Sequence, residues 1–231
     1  MKVLIALGNI ERDDTDIIEK VRSKYPDVLV VLVSFEDFLD ALSLPTHLPK
    51  QLSDMVLELR TFFDEEGLLP SWKYLLDVVN CARMPEDVEN GFYMCPATGG
   101  AYSHKRCRFF GMYGNKVVSK IAEIRAVIDV RTNFDNKNNN YTEILWNNEP
   151  VSEEKILIED ATKKVQIKKP NYNPARVFLL GPSHETMFEK ETPGGMLGSK
   201  QYFNISTCGE TNAKELAKKL NGKKWSEFPR R

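Results

Sequence analysis

Between residues 122 and 130 the chain alternates: Ala122, Ile124, Ala126, Ile128 and Val130 are apolar, while Glu123, Arg125 and Asp129 fall between them. A period of two belongs to a β-strand with one face on a core and the other toward water; an amphipathic helix would repeat its apolar residues every three or four. Just upstream, residues 108–113 are rich in aromatic side chains, and Gly114-Asn115 supplies the residues a tight turn needs ahead of Lys116 and Val117. The expectation is a β-hairpin, around which the rest of the chain must be arranged.

Upstream the pattern is different. Residues 3–7 and 28–33 are short, wholly apolar runs, separated by Ile17, Ile18 and Val21 at helical spacing. Ser34 can cap a further helix with Phe35, Phe38, Leu39 and Leu42 on one side. This reads as a β-α-β-α unit over residues 1–45, its strands parallel and buried on both faces. Two strands make a thin sheet, so the unit must lean on the rest of the chain or on another subunit; a homo-oligomer or a larger complex is the corresponding partner expectation. The loop at 8–14 lacks the glycines of a dinucleotide-binding turn, and its acidic side chains would repel a phosphate, so it reads as a helix-capping loop.

Residues 45–49 read as a linker opening a helical pair over residues 46–84: Leu52, Met55, Val56, Leu59, Phe62 and Phe63 form one stripe, and Ser71 opens a second helix carrying Trp72, Leu75, Leu76 and Val79. Residues 85–210 switch to short strands, at 92–95, 108–113, through Val130, 141–146, 165–168, 176–180 and 202–205, with a polar excursion at 133–140. Residues 211–231 hold a final helix capped by Thr211, with Ala213, Leu216, Ala217 and Leu220 inward, and a tail that Trp225 packs back onto the body. The fold class is α+β, with a mostly antiparallel sheet or small barrel after the helical pair.

Charge is balanced, 32 basic against 33 acidic residues, so a nucleic-acid partner would have to be met by a local patch. No apolar run approaches the roughly 18 to 20 residues that span a bilayer, so no membrane partner is expected, and the acidic turn after residue 10 is unlike a signal peptide; a cytoplasmic location is the expectation. Four cysteines in 231 residues argue for reduced thiols.

Several residues could carry chemistry. Cys81, Cys95, His104 and Cys107 are metal-ligand types, but their spacing lacks the close pairs of structural zinc sites, so no metal and no cofactor is expected. Cys107 has cationic neighbours and a nearby His104, yet strand alternation turns it away from Arg106 and Arg108. Gln166 and Lys168, preceded by Asp160, resemble part of a nuclease motif, but the spacing leaves no separate strand for the Asp, so these read as surface charge. The run 181–198 combines His184 and Glu185 with Thr192, Gly194 and Gly195, which reads as a ligand loop with exposed amides and makes His184 and Glu185 the catalytic candidates. The hairpin concentrates Lys105, Arg106, Arg108 and Lys116 among Tyr93, Phe109 and Tyr113, a pairing of phosphate-neutralising cations with rings on which bases can stack.

Taken together, residues 92–96, 108–130, 175–180 and 202–205 resemble the strand succession of PUA-like domains, the group that includes EVE, ASCH and YTH modules, over about residues 86–206. That resemblance implies a curved β-barrel whose pocket takes a nucleobase or RNA segment, with Tyr93, Phe109 and Tyr113 as the matching pocket rings. The N-terminal unit is similar in texture to accessory pieces of prokaryotic restriction and defence proteins. The leading expectation is a module recognising nucleic acid or a nucleotide. The alternatives are a hydrolase or nuclease acting through His184 and Glu185, or a structural subunit of a larger complex.

Overall fold

The computed structural model describes residues 2–8, 15–43, 49–66, 68–82, 85–132, 141–209 and 212–230, in two units, Met1–Ser71 and Trp72–Arg231. Residues 9–14 of the first loop, the linker residues 45–48, the excursion at 133–140 and the cap Thr211 lie outside the described residues. Among the described residues no helix is long and apolar enough to cross a membrane.

In the first unit, β1 (Lys2–Gly8), α1 (Thr15–Lys24), β2 (Val28–Ser34), α2 (Phe35–Ser43) and α3 (Lys50–Glu65) follow one another. β1 and β2 pair in parallel from Lys2↔Val28 to Gly8↔Ser34. Ser34 Oγ accepts from the Asp37 amide at 2.9 Å, and the rings of Phe35 and Phe63 meet at 4.8 Å. Order and pairing are as the sequence indicates, but burial is not: Val3 and Ile5 are 53% and 65% exposed, and Met55 on the α3 stripe is 61% exposed. Two strands and three helices are too few to cover both faces of this sheet.

The second unit contains β3 (Leu75–Asn80), α4 (Pro85–Glu89), β4 (Phe92–Pro96), β5 (Phe109–Gly114), β6 (Val117–Arg131), β7 (Tyr141–Asn147), α5 (Glu154–Lys168), β8 (Ala175–Leu180), β9 (His184–Glu189), β10 (Lys200–Asn204) and α6 (Ala213–Leu220). The strand order is β10-β3-β5-β6-β8-β4, with β7 and β9 also on β6. β3 and β5 run parallel; the other pairings are antiparallel. The class is therefore α+β with a mostly antiparallel sheet, and no closed barrel forms among the described residues.

β6 is the spine. Its first half lies between β5 and β9, its second half between β7 and β8. The sheet folds over at this strand. β5 and β4 are three strands apart, about 14 Å in a flat sheet, yet the rings of Tyr93 and Phe110 stand 5.4 Å apart. The inner core between the two halves holds Leu75, Val79, Tyr93, Cys95, Cys107, Phe110, Val127 and Phe178. α6 and Trp225 cover one outer face, against Phe109, Val118, Phe188 and Phe203. α5 covers the other through Leu157, Ala161 and Val165, against Met94, Ile128 and Val177.

Four expectations change. The helix predicted from Ser71 is a short 3-10 turn, Ser71–Tyr74, followed by β3, because Leu75 to Val79 is buried on both faces between two cores. Residues 165–168 end helix α5 instead of forming a strand; Leu157, Ala161 and Val165 recur every four residues and point into one core. The run expected as a ligand loop contains β9, which pairs with β6 and buries Phe188. Finally, Asp129 does not face water. The pairing slips between Ile124 and Ala126, so Ala122 and Ile124 enter the inner core while Ala126, Ile128 and Val130 face α5, which turns Asp129 inward. The helix α6 is capped by Asn212, whose side chain accepts from the Glu215 amide at 2.9 Å.

Candidate functional site

The inner core is polar at one end. Asp77, at the centre of β3, is fully buried, with its Oδ2 2.6 Å from Nδ1 of His104; the His104 side chain is itself 3% exposed. Oδ1 of Asp77 is buried without a hydrogen-bond partner among the described residues. The imidazole packs edge-on against Phe178 at 4.7 Å, and its Nε2 lies 4.0 Å from Sγ of Cys95 on β4. Strand alternation brings these groups together. Leu75, Asp77 and Val79 share the inner face of β3, as Tyr93 and Cys95 share that of β4.

A second buried pair lies alongside. Arg176 on β8 donates from Nε and Nη2 to the two oxygens of Asp129, each at 2.8 Å, and from Nη1 to the Tyr102 carbonyl. The hydrogen bonds to Asp129 hold the guanidinium above its ordinary pKa. Lys200 on β10 donates to the Ala101 carbonyl, and desolvation lowers its pKa. Burial pushes the Cys95 thiol up to about 12, opposed by the nearby Arg176 and Lys200 charges. Burial raises Cys81 and Cys107 likewise.

Residues 97–108 run over this end of the sandwich. Their second half is fixed: the Lys105 amide donates to Tyr202 Oη at 3.0 Å, and Arg106 stacks 3.9 Å from the Trp72 ring. Arg106 also donates to Asn148 Oδ1 and the Asn147 carbonyl. Asn148 closes the gap where β6 exchanges β7 for β5, donating to the carbonyls of Cys107 (3.0 Å) and Ile124 (2.9 Å).

The residues expected to bind nucleic acid are dispersed. Lys105 is exposed above the Tyr202 ring; Arg106 is held in the contacts just described; Arg108 reaches Glu123 at 3.5 Å. Lys116 sits with Asn115 in the turn between β5 and β6, both at positive φ, beyond the far end of β5 from Arg108, a strand about 17 Å long. The rings are enclosed and do not line one hollow: Tyr93 belongs to the inner core, Phe109 and Tyr113 to the core under α6. His184 and Glu185 are consecutive strand residues, opposite Ile121 and Lys120, and so point to opposite faces of the sheet. In the expected ligand loop the carbonyls of Thr192, Pro193 and Gly194 converge, and Gly195 adds no contact to them among the described residues. Lys190 Nζ takes the carbonyls of Thr192 (3.1 Å) and Gly194 (3.2 Å) and the Thr192 hydroxyl, an arrangement suited to a cation and not to an anion. Among the described residues no three His, Cys, Asp or Glu side chains gather as a metal would require.

Cys95 and His104 stand among the sequence candidates only as metal-ligand types, and Asp77 is not among them. Its signal was a single charge inside an apolar strand, Leu-Leu-Asp-Val-Val, hidden while that stretch was read as a helix. Compared with protein-family models, with curated proteins and with solved structures, the chain gives no significant match.

Proposed function

We propose that the unit Trp72–Arg231 is a recognition module for nucleic acid that takes one unpaired base at the polar end of its inner core. The observation that carries this reading is the Asp77 oxygen, buried without a donor among the described residues. Leaving such an atom unpaired costs about 1–3 kcal/mol, and a ligand that supplies an N–H removes that cost. Base edges carry such donors beside a flat π face, and the site offers His104 and Phe178 as ring partners. Lys105, exposed at the rim, and Lys200 are the cations available to the sugar-phosphate backbone. The resemblance of the strand succession to PUA-like domains agrees with this reading, as does the bend of the sheet at β6. His184 and Glu185 have no part in it.

Fluorescence anisotropy of labelled single-stranded RNA and DNA, measured over a range of salt, tests the proposal. Asp77→Asn is expected to weaken binding by on the order of tenfold or more, the worth of one good base-edge contact. Lys105→Ala is expected to lower the salt slope by about one. Binding that is indifferent to Asp77→Asn, or no binding to any strand, overturns the proposal. Arg106→Ala is unsuitable as a probe because that side chain holds Trp72 and Asn148 in place.

A further inference from the structure

Asp77, His104 and Cys95 form a relay. In the tautomer in which Nδ1 of His104 donates to Asp77 across 2.6 Å, Nε2 presents its lone pair toward Sγ of Cys95, 4.0 Å away. We infer that Cys95 is a thiol nucleophile toward carbonyl compounds, with His104 as its base, Asp77 positioning His104, and Lys200 as the donor to the developing oxyanion. This goes beyond recognition and does not depend on the ligand being a nucleobase.

Three observations support it. First, this order of acceptor, imidazole and thiol is what activates a cysteine, and contacts of this length are common before a substrate tightens them. Second, the unpaired Oδ1 of Asp77 marks a group held at a cost to stability, as site residues often are. Third, the covering segment has two unlike halves. His104, Lys105 and Arg106 are anchored to Asp77, Tyr202, Trp72 and Asn148. Residues 97–103 are mostly exposed, and they touch the site through two carbonyls, Ala101 on Lys200 and Tyr102 on Arg176. Gly99 and Gly100, at φ 76° and 56°, let the backbone reverse there. Lifting 97–103 would leave the Asp77–His104 pair in place, open the way to Cys95 and free the Lys200 ammonium. In the closed state a backbone carbonyl occupies the donor that a substrate carbonyl would use.

The chemistry balances as acyl transfer to water. Sγ gives its proton to Nε2 of His104 as the sulfur–carbon bond forms, and the carbonyl π pair moves onto oxygen beside Lys200. Collapse of that intermediate expels an alcohol, amine or thiol, which takes the proton from Nε2. Water then attacks the thioester, giving a proton to Nε2. The acid departs, and Cys95 leaves as thiolate and recovers that proton.

The four cysteines provide internal controls, since Cys81 and Cys107 are as deeply buried as Cys95 and Cys208 is half-buried. The native full-length chain is treated with p-nitrophenyl acetate or with iodoacetamide, without nucleic acid, and the modified peptides are mapped over time. Both groups are expected on Cys95 well before Cys81 and Cys107. His104→Gln is expected to slow modification of Cys95 by on the order of a hundredfold while Cys208 keeps its rate. Lys200→Met is expected to reduce acetylation, which needs an oxyanion donor, far more than alkylation, which loses only a nearby positive charge. If Cys95 in the wild-type chain reacts no sooner than Cys81 and Cys107, or only once the unit unfolds, the inference is overturned whether or not the variants fold. Because no oligonucleotide is present, this outcome is separable from failure of the base-recognition reading.

Discussion

Asp77 and Asp129 are both buried acids on the inner face, and they should respond unequally to the same conservative change. Both oxygens of Asp129 accept from the Arg176 guanidinium at 2.8 Å, and that side chain is 11% exposed. Asp129→Asn removes the counter-charge and one acceptor. An uncompensated buried charge costs roughly 3–5 kcal/mol. In Asp77→Asn the amide oxygen can still accept from Nδ1 of His104, so the loss is the extra strength of one charge-assisted bond, about 1 kcal/mol. The unpaired carboxylate oxygen is exchanged for an amide NH2 that is equally without a partner, so no hydrogen bond is regained. The cost of Asp77→Asn is therefore about 1 kcal/mol, which separates the two variants by roughly 2–4 kcal/mol. Urea unfolding followed by tryptophan fluorescence measures this difference. Trp72, Trp146 and Trp225 are the only tryptophans and all lie in the second unit, so the signal reports that unit alone. Asp77→Asn destabilising the unit as much as Asp129→Asn would make Asp77 a structural group and withdraw the main support for the site.

Replacing both members of the Arg176–Asp129 pair, as Arg176→Met with Asp129→Leu, should recover most of the loss seen in Asp129→Asn, because no charge is then stranded; the same urea titration decides it. Asn148→Ala should cost about 2–4 kcal/mol, from three hydrogen bonds lost and the Cys107 and Ile124 carbonyls left without that donor. A cost under about 0.5 kcal/mol would show that water replaces the amide. Alkali should destabilise the unit through its buried thiols. The folded-state pKa of Cys95 is raised from 9.0 to about 12, so its contribution is intact below pH 9 and is lost as the pH climbs toward 12. Cys95→Ala should therefore flatten the fall of the melting temperature across that window; an unchanged slope would contradict it.

Much of the second unit was legible because its periodicity had one meaning. The hairpin of β5 and β6 was found from alternation, and β4, β7, β8 and β10 from short β-branched and aromatic runs between turn residues. The errors fell where a pattern served two templates. Trp72, Leu75, Leu76 and Val79 match helical spacing, yet a short run buried on both faces carries no periodicity that separates strand from helix. β9 has one deeply buried side chain, Phe188, and owes its strand conformation to its ladder with β6, a partner more than 60 residues away in sequence. Val165 was read alone, without Leu157 and Ala161, the earlier members of its four-residue series.

The site itself was spread across 27 residues from Asp77 to His104 and 47 from Asp129 to Arg176, so no local motif could display it. A different signal was present. Asp77 and Arg176 each stand as a single charge within an otherwise apolar stretch, Leu-Leu-Asp-Val-Val and Ala-Arg-Val-Phe, whereas Asp129 is hidden in the alternation of Glu123, Arg125 and Arg131. On a strand with one wet face, charges recur at alternate positions; a solitary charge in such a run has no wet face and must find a partner indoors. Asp129 and Arg176 found each other in full. Asp77 found His104 with one oxygen and nothing with the other, and that inequality between two buried acids separates the part of the core that holds the sheet together from the part that is free to do something else.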